Sequence, residues 1–143
     1  MADNDPFRSY NFKLNISGVN DAHFTECSGL GLTVEPIRYR EAGDSYVVRH
    51  IPGPVTFEPV TLTYGVTNSN DLWRWLMTAV DGRVERKNVS IIMMSADGSS
   101  EVMRWNLQDA WPSAWKGATL DAMANEIAIE SLTLVYDSLG RDR

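Results

Sequence analysis

The apolar and polar residues between positions 9 and 17 alternate with a period of two. The apolar side chains of one face are Tyr10, Phe12, Leu14 and Ile16. Such alternation is typical of a half-buried antiparallel strand. Further extended segments are predicted at 23–28, 32–40, 55–64, 88–95, 101–107 and 126–136, and a slip of phase near Glu130 predicts a bulge in the last one. Together they predict a mainly β protein with two packed antiparallel sheets, as in a small sandwich or barrel, and one short flanking α-helix.

A helical period occurs in the segment that ends near Gly82. Four polar residues at 68–71 can cap its N-terminus, and Gly82 suits the position after its C-terminus. The apolar stripe consists of Leu72, Trp73, Leu76 and Ala79 or Val80. Because Trp73 and Trp75 are two positions apart, they point to different faces, and we expect one of them in the core. An exposed Trp75 would suit a protein interface.

Turn residues mark the connections between the strands. Asp97-Gly98 lies between two extended segments and predicts a tight hairpin, because this turn requires positive φ. Pro36 and Pro59 lack a backbone donor, so each is expected at an edge or a bulge. The charged segment 39–53 is predicted to protrude as a hairpin or long loop from a single domain that spans residues 1–143.

Three of the five tryptophans lie in the segment 103–136. Trp111-Pro112 and Trp115 follow one predicted strand and precede another, so they are expected to form a rigid aromatic corner between the two strands. The residues expected to define the fold are Trp73, Trp105, Trp111, Pro112 and Trp115.

Composition excludes several functional classes. The chain has 143 residues and a formal net charge of −6, so we do not expect it to bind nucleic acid by neutralising phosphates. It has no run of about 20 apolar residues and no N-terminal secretory signal, so we expect synthesis in the cytoplasm and no membrane partner. The single cysteine excludes an internal disulfide and a multi-cysteine zinc site. No metal and no cofactor are expected.

One arrangement of residues could support catalysis. His23, Glu26 and Cys27 are close in sequence, and a cysteine beside a histidine can act as a nucleophile. On a strand, however, four positions separate two Cα atoms by about 13 Å, which is too far for a hydrogen bond. Glu126 and Glu130 are equally distant for acid–base chemistry. We therefore expect no enzyme, and a small cysteine-dependent hydrolase is the least favoured alternative.

A series of short motifs resembles the tail-tube proteins of contractile bacteriophages and related contractile injection systems. The motifs are FTECSGL at 24–30, YREAG at 39–43, IPG at 51–53, VTLTYGVT at 60–67, DLWRW at 71–75, NVSI at 88–91 and DAWP at 109–112, with Trp105, Trp115, NE at 125–126 and IE at 129–130. No single motif is specific for the family. The number of motifs and their order make the resemblance specific. Ala42 and Cys27 depart from the family pattern, which usually has glycine and valine at these positions.

The resemblance implies a two-sheet β fold with a flanking helix, similar to type VI secretion tube proteins. It also implies homo-hexameric rings that stack into a hollow tube inside a contractile sheath, with sheath protein, baseplate hub and tube-terminating proteins as partners. DNA or effector proteins would pass through the lumen without specific binding. The alternative with the same fold is a tube initiator that joins the tube to the baseplate.

Charge selects candidates for the contact between rings. Identical rings with a negative net charge must pair or segregate their charges where they meet. The charged candidates are Arg38, Arg40, Glu41, Asp44 and Arg49. The predicted contact residues between rings or between subunits also include Tyr39, Gly43, Tyr46, Pro52 and Gly53. Acidic side chains in the bore would repel DNA or acidic cargo and so favour its sliding.

Overall fold

The computed structural model describes residues 12–19, 24–40, 47–66, 70–123 and 125–142. The strands in these ranges are β1 Phe12–Ile16, β2 Phe24–Ser28, β3 Leu32–Tyr39, β4 Arg49–Phe57, β5 Val60–Gly65, β6 Lys87–Met94, β7 Glu101–Lys116, β8 Ile129–Val135 and β9 Ser138–Asp142. The one helix among them, α1, comprises Asp71–Val80. The predicted fold class, mainly β with a short helix, is confirmed.

Seven of the strands form one antiparallel sheet, in which β7 connects two halves. Their order is β1-β6-β7-β8-β5-β2, and β9 also pairs with β7. The first part of β7 lies between β6 and β9, whereas residues 111–116 pair with β8. Asp109 has a φ of 56° and lies within the register shift between Leu107 and Ala110, and a second shift follows between Pro112 and Ala114, so the strand bends here. The bend allows side chains from both halves to meet in one core.

The aromatic segment belongs to this long strand, so the prediction of a corner between two strands is wrong. Trp111 pairs with Val135 and Pro112 with Leu134, both on β8. Among the described residues, the segment 111–116 has a strand neighbour on one side only. Proline is tolerated at such an edge because a missing N–H need not interrupt a second ladder.

The core lies between the two halves of the sheet and beneath α1. Its most deeply buried side chains are Val60, Leu62, Trp75, Val89, Leu107, Pro112, Leu132 and Leu134. Buried residues alternate along β5, and the predicted inner face of Val60, Leu62 and Tyr64 is confirmed. A strand with a period of two buries one complete face, and the apolar residues of β5 have this period in the sequence.

The helix uses a different tryptophan from the one expected. Leu72, Trp75 and Leu76 are its buried residues. Trp75 is 2% exposed, and its indole Nε1 donates a hydrogen bond to the backbone oxygen of Glu85 over 2.7 Å. Trp73 is 45% exposed. The interpretation of Trp73 as the core residue is therefore wrong, because positions i, i+3 and i+4 from Leu72 form the stripe that faces the sheet.

The predicted bulge near Glu130 is also wrong. The pairing of β8 with β5 is regular along the whole of β8. Ile127 and Ile129, which suggested a slip of phase, are exposed and do not belong to the core. The register shift lies on the neighbouring strand, between Pro112 and Ala114 of β7.

The connection between β6 and β7 closes the hairpin that the sequence predicts and comprises residues 95–100. Gly98 has a φ of 76°. The Asp97 carboxylate accepts hydrogen bonds from the Ser95 hydroxyl and from the hydroxyl and backbone N–H of Ser99. These bonds stabilise the charged carboxylate and lower the pKa of Asp97 to about 2.

Candidate assembly surfaces

The strands β3 and β4 form a two-stranded antiparallel sheet of their own, which we call the 32–57 hairpin. All eight residues of β3 are exposed. The exposed apolar side chains here and in the connection before β4 are Leu32, Val34, Ile37, Tyr39, Val47, Val48, Ile51 and Val55. A two-stranded hairpin is marginally stable in water, and a continuous apolar patch on it indicates an interaction site. The 32–57 hairpin is therefore the first candidate assembly surface.

Six of the predicted contact residues are described on or beside this hairpin. Arg38 lies opposite His50 and Tyr39 opposite Arg49. Arg40 follows β3, and Pro52 and Gly53 lie in β4. The other four predicted contact residues, Glu41, Gly43, Asp44 and Tyr46, lie outside the described residues.

Of the two prolines that interrupt the extended pattern, Pro36 lies where the prediction expected it and Pro59 does not. Pro36 pairs with Pro52 and follows a register shift in β3, so it lies at a bulge. Gly53 allows the two strands to approach here, since a Cβ at this position would lie 2.6 Å from the Glu35 oxygen. Pro59 lies outside the strands, between β4 and β5, which corrects the prediction of one continuous strand in this region.

Close contacts join the two ends of the 32–57 hairpin to each other and fix them to the core. The Glu58 N–H donates to the oxygen of Gly31 over 2.9 Å, and the Tyr136 hydroxyl donates to the oxygen of Glu58 over 2.6 Å. Gly29 has a φ of 93°, and a Cβ at this residue would lie 2.3 Å from the oxygen of Pro59. The position of the hairpin therefore depends on glycine at the end of β2.

A second candidate surface, which we call the 119–129 groove, lies in the connection between β7 and β8. This open groove of about 790 Å³ is lined by Thr119, Leu120, Asp121, Ala122, Glu126, Ile127, Ala128 and Ile129. Leu120 is 87% exposed and Ile127 is 83% exposed. Both charged side chains in its lining, Asp121 and Glu126, are acidic. This groove was not predicted from the sequence. The feature that could have indicated it is the presence of apolar residues in an otherwise polar connector.

The remaining tryptophans pack at or near the rim of the core. The rings of Trp73 and Trp115 meet edge to face, with their centroids 5.1 Å apart. Trp115 Nε1 donates to the Glu130 carboxylate over 3.0 Å. Burial, together with the charge and hydrogen bonding of Glu130, raises the pKa of Tyr64. Trp105 is partly buried against the core.

The surroundings of Cys27 do not support nucleophilic chemistry. Burial and the neighbouring Glu26 charge raise the pKa of the Cys27 thiol to about 11, so the thiol is protonated at neutral pH. His23 lies outside the described residues. Cys27 borders a cavity of about 480 Å³ whose lining includes Phe12, Leu30 and Trp105. Within the described ranges, no three His, Cys, Asp or Glu side chains form a group that could hold a metal ion.

In the part of the chain that the structure describes, no helix combines the length and the hydropathy needed to span a membrane.

The fold and its two exposed surfaces define a class of protein, a β-rich structural subunit that presents an open hairpin. The sequence model of the T4-like virus tail tube protein gp19 family matches residues 8–140. The chain therefore belongs to this tail tube family and is a structural tube subunit. No curated protein matches its sequence.

Solved structures agree with this family. A chain in the cryo-EM structure of an extracellular contractile injection system, the PVC sheath–tube complex in its extended state, is 27% identical over 99% of this chain and 94% of that one, with a TM-score of 0.87. A chain in the anti-feeding prophage tube-terminating cap has the same values. Hcp1 from Flavobacterium johnsoniae shares the fold at 14% identity, with a TM-score of 0.59 over 92% of this chain and 94% of Hcp1.

Proposed function

We propose that the protein is the repeating subunit of the inner tube of a contractile tail or injection particle. Six copies would form a ring, and rings would stack into a hollow conduit. The observation that carries this proposal is the 32–57 hairpin, which exposes apolar side chains on a sheet of only two strands. An open strand edge promotes pairing with another chain, and a closed ring makes that pairing specific and finite.

The hairpin also supplies positive charge for contacts between rings. Each subunit carries a formal charge of −6, so stacked rings repel each other unless basic residues lie at the contact. Arg38 and Arg49 are exposed on the hairpin, and neither forms a salt bridge with another described residue. With Arg40, they are the basic residues that we expect to meet the next ring. Glu41 and Asp44 complete the charged part of the predicted contact.

The partners and the cargo follow from the same role. Chains similar to this one occur in the PVC sheath–tube complex, in the PVC sheath/tube terminator and in the anti-feeding prophage baseplate. We infer corresponding contacts with a sheath protein, a baseplate hub and a terminator. DNA or effector proteins would pass through the lumen without specific binding. The subunit would be made in the bacterial cytoplasm and assembled into a phage tail or contractile injection particle.

We infer that the subunit has no enzymatic role. The raised pKa of Cys27 leaves little thiolate for attack on a substrate at neutral pH. A Cys27→Ala variant should therefore assemble as the wild type does. Loss of a hydrolytic activity in that variant, with assembly retained, would support the hydrolase instead.

Electron microscopy of the purified protein tests the tube directly. Negative staining should show rings and tubes of uniform width. Arg40→Glu should keep the circular dichroism spectrum of the wild type but form shorter tubes, because the effect of a like-charge contact accumulates at every ring. Arg83→Glu is the control, since it makes the same charge change at an exposed site after α1. Equal tube lengths for the two variants would count against the hairpin contact.

One alternative within the same fold has a specific observation in its favour. A chain in the anti-feeding prophage baseplate matches with a TM-score of 0.82 at 26% identity. A tube initiator of this kind would form a limited number of layers on a baseplate. Purified protein that stops at single rings at all concentrations and salt conditions would favour the initiator over the tube subunit.

A further inference from the structure

One face of the 32–57 hairpin combines apolar side chains with a single cation. In the antiparallel register, Ile37 lies opposite Ile51 and Tyr39 lies opposite Arg49. Residues that are directly opposite share a face of the sheet, so these four side chains lie together. Arg38 lies between Ile37 and Tyr39 in sequence and therefore points to the other face. We call the first set the Arg49 face.

The 119–129 groove has the complementary composition. Its exposed apolar lining residues are Leu120, Ile127 and Ile129. Its charged lining residues are the two acids Asp121 and Glu126. The Asp121 carboxylate already accepts a hydrogen bond from the backbone N–H of Met123 over 3.0 Å. Glu126, in contrast, has no hydrogen bond or ion pair with another described residue.

We propose that the 119–129 groove of one copy binds the Arg49 face of the hairpin of a second copy, with Arg49 paired to Glu126. This inference rests on the proposed tube function and names the surface that receives the hairpin. Both surfaces are exposed in the single chain, so the hairpin does not occupy its own groove. Burying Ile37 and Ile51 against the apolar groove residues removes both patches from water, which is the main stabilising contribution.

The contact is heterologous, because it joins two different surfaces of the same chain. Between stacked rings, such a contact leaves hairpins free at one end of the stack and grooves free at the other, so it repeats from ring to ring along the tube. The charge pair gives the contact its register, because the cation and the carboxylate must coincide when the apolar side chains are buried.

Charge reversal tests the pair. In Arg49→Glu or Glu126→Arg, two like charges face each other, and we expect association to weaken by about tenfold or more. The change would appear as shorter tubes in negative stain and as slower species in sedimentation velocity. The double variant Arg49→Glu/Glu126→Arg should recover the tube length of the wild type. A double variant that assembles no better than the worse single variant would overturn the proposal.

Arg38 provides a matched control on the same hairpin. Arg38→Glu makes the same charge change on the opposite face, so Glu126→Arg should not rescue it. Equal rescue of Arg38→Glu and Arg49→Glu would reveal a general effect of net charge and would exclude the specific pair. Wild-type protein that forms no rings contradicts the proposed function itself. If the wild type forms tubes and Glu126→Arg forms tubes of the same length, only the groove contact is contradicted.

A cross-link keeps the test decisive if Arg49→Glu fails to fold. Ile51→Cys and Ile127→Cys are each introduced into a Cys27→Ala background, and the two proteins are mixed and oxidised. A disulfide requires Cα atoms within about 7 Å, so a heterodimer on a non-reducing gel places the two surfaces in contact. Mixed tubes that contain no heterodimer beyond that of an Arg83→Cys control would refute the contact.

Discussion

The two tryptophans of α1 offer a sharp test of the packing. Trp75→Ala removes an indole that is 2% exposed, whereas Trp73→Ala removes one that is 45% exposed. The two substitutions have the same chemistry and lie two positions apart on one helix. Any difference in their effect on the free energy of unfolding therefore reports the difference in burial.

The magnitude follows from the contacts of each side chain. Truncation of a buried tryptophan to alanine costs about 3–5 kcal/mol. Trp75 also loses its hydrogen bond to the Glu85 oxygen, a contribution of about 1 kcal/mol that lies within that range. Trp73 loses partial burial and its edge-to-face contact with Trp115, and we expect a loss of about 1–2 kcal/mol. The centres of these two ranges differ by about 2.5 kcal/mol.

Urea denaturation followed by circular dichroism measures both values. The protein is studied at a concentration at which sedimentation velocity shows one slow species, so that assembly does not add to the stability. A typical slope of about 2 kcal/mol per molar urea converts the expected difference into a midpoint separation of about 1 M. Trp75→Phe retains most of the volume but not the donor, and it should lose about 1–2 kcal/mol.

Equal losses for Trp73→Ala and Trp75→Ala would refute the assignment of Trp75 to the core. A larger loss for Trp73→Ala would mean that the helix is rotated relative to the sheet. Either result would mean that Trp73 is not the exposed tryptophan of α1. The helix would then pack on β7 through a different face.

Three further predictions concern the turns and the hairpin. Gly29→Ala should lose about 1–3 kcal/mol in urea denaturation, because its φ is positive and its Cβ would meet the Pro59 oxygen. Gly53→Ala should leave the thermal unfolding of the core near that of the wild type but shorten the tubes, because its Cβ would push β4 away from Glu35 in β3; normal tubes would contradict this. Asp97→Ala should be less stable than the wild type at neutral pH. Because the pKa of Asp97 in the folded protein is lowered to about 2, the difference in stability between Asp97→Ala and the wild type should persist above about pH 4 and disappear as the pH falls to about 2. A stability difference that does not change with pH would exclude the carboxylate as its cause.

The structure corrects the sequence predictions at positions where the local pattern is compatible with two different structures. The stripe that includes Trp73 and the stripe that includes Trp75 differ by a rotation of the helix, and only the position of the sheet selects one. Likewise, Trp111 and Pro112 have the local features of a turn, but β8 pairs with them and keeps them extended.

The two candidate surfaces differ in how far the sequence indicates them. The charged segment with Arg38 and Arg49 stands out in sequence because it interrupts the apolar periods, and the structure places both residues on an exposed hairpin. The 119–129 groove was missed because Leu120 and Ile127 follow no period, and isolated apolar residues in a connector are normally explained by partial burial. Their exposure is visible only in three dimensions.

The sequence by itself determined the mainly β class, the helix that ends before Gly82, the turn at Asp97-Gly98 and the membership of a tail tube family, because these depend on local periods, on turn chemistry and on the order of motifs. The tertiary structure alone decided which tryptophan is buried, that β7 serves both halves of the sheet, and that the 32–57 hairpin stands apart with its apolar residues exposed. The physical reason is that periodicity marks the faces that bury surface, whereas the partner that covers each face comes from segments far away in sequence or from another subunit.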